Sequence, residues 1–188
     1  MRFALLAAAL FIAAPAFAEE PIHFPQKLDR KDFQAMIADT GPVYIAGQPT
    51  EAALREMVAS GVRTIINLRT QPEMDSRRQV PYDEAAVMKE LGVTYVHIPL
   101  GGPDTPYTPA AVDQVAAALA KADGKVLLHC TVAWRASHMW AAYLVKYKGF
   151  TLEEATRHAE AMNLNGYKAP GARTTPLQDF LALPAAAN

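Results

Sequence analysis

Val126-Leu127-Leu128-His129-Cys130-Thr131-Val132-Ala133-Trp134-Arg135-Ala136-Ser137 is the stretch whose reading decides the fold. Val126 to Leu128 is a short apolar run of strand character, and Met139, Trp140, Leu144 and Tyr147 beyond it recur at helical spacing. The chain's one cysteine therefore falls where a strand ends and a helix begins, with Arg135 in the first helical turn. Free N–H groups and the positive end of the helix dipole converge at such a junction and favour an anion. A thiolate at Cys130 is one such anion. A bound oxyanion is another, and the planar fork of Arg135 can clamp it through two hydrogen bonds. Nucleophile and oxyanion cradle then share one loop, as covalent catalysis requires. The plain alternative is a buried structural cysteine.

Outward from this stretch, strands and helices alternate. Val43 to Ala46 reads as a strand, and Thr50 caps a helix over 51–60 with Leu54, Met57 and Val58 inward. Gly61 ends that helix, and the β-branched run Val62 to Leu68 reads as a central strand. Tyr82 to Leu91 has helical spacing and closes on Gly92, and Val93 to Ile98 is the next strand. Thr108-Pro109 opens a helix with Val112, Val115 and Leu119 facing the core. Thr151-Leu152-Glu153-Glu154 is a capping box that opens another helix, ended at Asn165-Gly166, and Thr175-Pro176 begins a short last one. Asp29 to Ala38 is expected to form a short helix, with Phe33, Met36 and Ile37 on one face. The expectation is an α/β fold: a single three-layer domain with a mostly parallel central sheet and helices on both faces.

Composition narrows the function classes. A net charge of −1 with no basic cluster argues against a nucleic-acid partner. Arg2, the apolar run Phe3 to Ala14 and Ala16-Phe17-Ala18 have the form of a cleavable leader over residues 1–18, with a mature domain over 19–188. That apolar run is too short for a membrane span of about 20 residues. The expected location is periplasmic or secreted, with no membrane association after cleavage. A lone cysteine in an oxidising compartment cannot close an internal disulfide, so its retention there calls for a reason. His97, His138 and His158 lack metal-site spacing, and neither a metal nor a cofactor is implied.

His129-Cys130, four further residues and Arg135 resemble the active-site loop of the cysteine phosphatases of the protein-tyrosine and dual-specificity kind. The likeness is to a bacterial phosphatase-like branch related to beta-lactamase-hydrolase-like proteins. It extends over Ala46-Gly47-Gln48-Pro49, Val62 to Arg69, Gly92 to Pro99, and Ala141 to Leu144 followed by Gly149. Two departures stand out. The main phosphatase pattern has five residues between Cys and Arg, whereas this chain has four, as do rhodaneses and the bacterial branch. Ala133 and Trp134 also stand where glycine and a small polar residue are usual.

The resemblance implies that Cys130 attacks phosphorus while Arg135 and the backbone N–H groups of Thr131, Val132, Ala133, Trp134 and Arg135 hold the oxygens. It implies an upstream loop aspartate as general acid, for which Asp104 is the best positional match, with Asp75 and Asp83 as weaker ones and Tyr107 lining the pocket. His129 is expected to order the loop, and Ser137 either to donate to the thiolate or to be a plain first-turn helix residue. Arg69, at the end of a central strand, is expected on the wall of the substrate site, with Arg77 and Arg78 beyond it. The implied partner is a phosphate-bearing small molecule or a phosphoprotein. A rhodanese-like sulfurtransferase and a non-catalytic anion- or partner-binding module are the alternatives.

Overall fold

A computed structural model of the chain describes residues 20–164 and 172–185. The expected leader over 1–18 and the helix end at Asn165-Gly166 lie outside the described residues. The strands are β1 (Gln26–Leu28), β2 (Ile37–Asp39), β3 (Val43–Ala46), β4 (Val62–Asn67), β5 (Thr94–His97) and β6 (Lys125–His129). They form one sheet in the order β1-β2-β3-β6-β4-β5. From β3 onward all pairs are parallel, while β1 and β2 extend the β3 edge antiparallel. The helices are α1 (Glu51–Ala59), α2 (Gln71–Asp75), α3 (Glu84–Glu90), α4 (Pro109–Lys121), α5 (Trp134–Lys148), α6 (Leu152–Glu160) and α7 (Pro176–Phe180).

Alternation along the inner strands divides the core. Leu127 of β6 and Ile65 of β4 pack with Leu54, Met57, Val87 and Met88 of α1 and α3. Val126 and Leu128 face the other side, against Val112, Val115, Met139, Trp140 and Phe180 of α4, α5 and α7. Both faces of β6 are thus covered, which is why it reads as an unbroken apolar run rather than an alternating one. Each buried leucine there contributes about 1.5–3 kcal/mol. Among the described residues no helix is long and apolar enough to cross a membrane.

Two segments differ from their sequence reading. Residues 29–38 are not a helix: Phe33 bridges to Pro49, and β2 begins at Ile37. Phe33 and Ile37 enter one core while Met36 and Ala38 enter the other, and Ala35 has φ 68°. The second is α2, a short helix where the sequence reading places only a candidate site wall after β4. Thr70 and Glu73 form its capping box, and Pro72 lies in its first turn.

The parallel register decides where the site lies. Ala46 and Asn67 both stand beside His129. The segments Gly47-Gln48, Leu68-Arg69 and Cys130-Thr131 therefore leave the sheet together at the carboxyl ends of its central strands, where open α/β sheets place their sites.

Candidate active site

Cys130 follows β6 directly and is only 1% exposed, so it forms the floor of the loop rather than an accessible surface thiol. Its N–H donates to the Ala46 carbonyl at 3.2 Å, and the Gln48 N–H donates to the Thr131 carbonyl at 2.9 Å. The end of β3 thus runs alongside the loop. This approach is possible only because residue 47 is glycine: a Cβ there would lie 1.7 Å from the Gln34 carbonyl oxygen and 3.0 Å from that of Thr131.

Ala133 begins α5 at φ 65° and ψ −10°, with no side chain capping the helix. An alanine in this left-handed region costs on the order of 1 kcal/mol relative to glycine. The turn is thus retained where the resemblance implies glycine, at a cost in stability. Among the described residues, the N–H groups of Thr131, Val132 and Arg135 have no backbone acceptor. They are the uncommitted donors at the dipole's positive end that an oxyanion needs.

Arg135 is buried and held on two sides. Its Nη1 donates to the carbonyls of Leu68 (3.1 Å) and Leu100 (2.7 Å), while Nη2 donates to Glu73 Oε1 (2.5 Å) and Thr131 Oγ1 (3.0 Å). The expected open fork is therefore already occupied, with Nη1 on fixed carbonyls and Nη2 on side chains that can move. Thr131 Oγ1 also donates to Glu73 Oε1 at 2.6 Å. Burial pushes the Glu73 carboxyl up, but the hydrogen bonds from Arg135 and Thr131 outweigh it and hold the pKa at about 2. Glu73 is thus an anion already seated against the cradle. The capping box Thr70-x-x-Glu73 was the sequence signal for the turn that places it.

Behind the loop, His129 Nε2 lies 2.9 Å from Glu84 Oε1, with both side chains fully buried. Glu84 also receives Gln48 Nε2 (2.8 Å) and Asn67 Nδ2 (3.1 Å). Burial opposes its charge, yet His129 and the hydrogen bonds from Gln48 and Tyr95 prevail and hold the carboxyl at about 2. His129 therefore orders the loop from behind and does not face a ligand. Glu84 had no local signal, because its partners lie 36 and 45 residues away in sequence.

Several other expectations are corrected or refined. Arg69 does not line a substrate surface: its side chain is 0% exposed and is bound to Gln48, Gln79 and the Glu73 carbonyl. Ser137 Oγ donates to the Ala133 carbonyl (2.9 Å), so its proton is committed to the helix start and not to Cys130. The Trp134 ring stands edge-on to His138, with centroids 4.8 Å apart, and is half-buried on α5. Val132 is tied by its carbonyl to Asn163 and bridges to Gly47, so it contributes backbone rather than side chain. Arg77 donates to the Tyr82 carbonyl. Asp75 accepts from Gln71, and Asp83 caps α3, which leaves neither poised as an acid.

Asp104 lies exposed at the tip of a turn closed by Gly101 N–H to Thr105 O (2.7 Å) and Thr105 N–H to Gly102 O (3.2 Å). That turn begins directly after Leu100, whose carbonyl holds Arg135. Gly101 lies against Tyr107 and Arg135, and burial raises the Tyr107 phenol to about 12. The Asp104 loop is thus anchored to the cradle arginine.

A family model described as a DSP-PTPase phosphatase fused to NAD+ kinase matches residues 26–175, which includes all of this constellation. The chain belongs to that phosphatase family. The family model and the fold together support a cysteine-dependent phosphatase. The chain is 34% identical over 98 residues to the beta-lactamase hydrolase-like proteins of two Xylella fastidiosa strains, Temecula1 and 9a5c. The match covers 52% of this chain and 22% of theirs, so the chain spans about a fifth of those relatives' length. Its fold is shared with PTPMT1, solved in complex with PI(5)P: TM-score 0.58, 19% identity, 73% of this chain and 86% of that one. It is shared too with TpbA of P. aeruginosa, solved in complex with pTyr: TM-score 0.53, 18% identity, 78% and 79% covered.

Proposed function

We propose that this phosphatase is exported and hydrolyses phosphomonoesters through a phosphocysteine. The observation that carries the reading is the cradle itself. A cysteine at the end of the central strand is followed by the N–H groups of Thr131, Val132 and Arg135, which have no backbone acceptor, and Arg135 itself lies in the first turn of α5. Cys130 Sγ attacks phosphorus as the ester P–O bond breaks, and the loop N–H groups with Arg135 hold the equatorial oxygens. Arg135 Nη1 stays on Leu68 and Leu100, while Nη2 exchanges Thr131 or Glu73 for a phosphoryl oxygen. Asp104 gives its proton to the departing oxygen. Water then attacks the S–P bond, its proton passes to the Asp104 carboxylate, and phosphate leaves with the thiolate restored.

The substrates we infer are a phosphate-bearing small molecule or a phosphoprotein. The phosphotyrosine and phosphoinositide complexes of proteins with this fold support that class. The test is hydrolysis of an activated aryl phosphate. Turnover that survives Cys130→Ser would overturn the phosphocysteine. Asp104→Asn should slow esters with poor leaving groups far more than those with good ones. The four-residue spacing favours one rival, sulfur transfer, so thiosulfate and cyanide belong in the same assay. Cys130-dependent transfer without phosphate ester turnover would replace the phosphatase reading. Export is read by the intact mass of the mature form, expected to begin at Glu19.

A further inference from the structure

Arg69 follows β4 at the sheet edge that carries the cysteine loop, and it is among the largest fully buried side chains. Its direct hydrogen-bond acceptors are all neutral: Gln48 Oε1 (2.8 Å), Gln79 Oε1 (2.7 Å) and the Glu73 carbonyl (3.3 Å). Nε is buried with no hydrogen-bond partner, and the nearest carboxylate oxygen, Glu73 Oε1, stands 3.9 Å away. That same oxygen already accepts from Arg135 and Thr131. Two guanidinium groups therefore share one carboxylate beneath the loop. The other ionisable groups facing Arg69 are Glu84 of α3, whose charge is engaged with His129, and Cys130. A buried cation without its own counter-ion is costly, which calls for an anion elsewhere in the site.

The bonds of Arg69 also have a geometric meaning. Gln48, which it holds, donates its backbone N–H to Thr131. Glu73, which it touches from the other side, holds Thr131 and Arg135. Both walls of the loop thus hang on one side chain.

We propose that Arg69 is a positioning residue of the phosphatase. It clamps the Gly47-Gln48 wall to α2 and supplies a buried positive charge, with no carboxylate hydrogen-bonded to it, that strengthens the loop's hold on a tetrahedral oxyanion. The proposal rests on the reading of that loop as an oxyanion cradle. It assigns Arg69 no contact with substrate.

The test uses tungstate, a tetrahedral dianion, titrated calorimetrically into the mature protein, with melting temperature recorded for each variant. Arg69→Met should weaken tungstate by at least about tenfold, because it removes a buried charge. Arg69→Lys, which keeps a charge but cannot span both walls, should fall between Met and the natural residue in affinity while kcat stays reduced. A folded Arg69→Met protein that binds tungstate as tightly as the natural one would overturn the proposal. If the Met variant does not fold, Lys binding no better than a folded Arg69→Gln variant would do the same. Aryl phosphate turnover that stays normal in these variants sinks this inference alone. Tungstate binding that depends on Arg69 without any turnover sinks the hydrolytic reading and leaves this one standing.

Discussion

The start of α5 and the starts of the other helices follow opposite rules. Thr50, Asp83, Thr108, Thr151 and Thr175 each offer a side-chain oxygen to a first-turn N–H of α1, α3, α4, α6 and α7. Ala133 offers none, and it also bends the chain into the left-handed region. A cap satisfies the helix and closes its end to ligands. An uncapped end is less stable on its own but keeps its donors for an anion. Further along, α5 buries His138 with neither ring nitrogen partnered. The capped helices serve stability, and the first turns of α5 give some of it up.

The largest expected effect comes from the open end. Arg135→Lys keeps the charge but loses the planar fork, and kcat/KM for an aryl phosphate should fall by about 100- to 1,000-fold. A fall of only a few-fold would mean that the helix end, and not the fork, does the holding.

Next is the response to acid, which separates α5 from the ion pairs around it. Burial lowers the His138 pKa from its ordinary 6.5 to about 4. Below pH 6.5 the unfolded chain takes up a proton that the folded chain refuses, so stability falls as pH drops from 6.5 towards 4. The loss is on the order of 3 kcal/mol. Glu73 and Glu84, held at about 2, act with the depressed-carboxylate sign. Their contribution is complete above the ordinary value of 4.5 and is lost as pH falls from there towards 2. His138→Leu should therefore flatten the melting-temperature curve between pH 6.5 and 4 and leave the decline below it. A curve unchanged in the upper window would show that His138 is not the group responsible.

A smaller effect concerns the competitor inside the cradle. Glu73→Gln keeps an acceptor for Arg135 but removes the charge that opposes an incoming oxyanion. Inhibition by inorganic phosphate should tighten by about 3- to 10-fold. Weaker inhibition would make Glu73 an aid to binding rather than a rival.

The smallest effects set the two kinds of helix start against each other. Thr50→Ala should cost about 1 kcal/mol and leave kcat untouched. Ala133→Gly should gain about 1 kcal/mol, a rise of roughly 2–4 °C in melting temperature, and should improve phosphate or vanadate affinity. If Ala133→Gly lowers both, the loop depends on the stiffness that alanine gives it.

The same contrast explains what could be read from the sequence. Caps and boxes are local, so Thr50, Thr108, Thr151 and Thr175 announce their helices, and the apolar run before Cys130 announces its strand. Phe33, Met36 and Ile37 misled, because their spacing fits one face of a helix. In the sheet they alternate between two cores, and only the neighbouring strands decide that. The β-branched run places Arg69 at a strand end, but its burial depends on Gln48 and Gln79, which are 21 and 10 residues away. Glu84 could not be found at all, since what makes it part of the site is contact with His129 across the sheet.

The close passage at Gly47 also bears on how this fold can be cut and recombined. Gln34 presses on residue 47 from one side and Thr131 from the other, and the Gly47 N–H donates to the Met36 carbonyl. Residues 33–37 look dispensable in a linear map, since they precede every parallel strand. They are in fact the outer jaw of a vice whose inner jaw is the Cys130 loop. A graft of this domain onto another protein that starts at Val43 would carry Cys130 and Arg135 intact, yet leave the loop unsupported on one side. The natural breakpoint for transplantation lies upstream of Gln26.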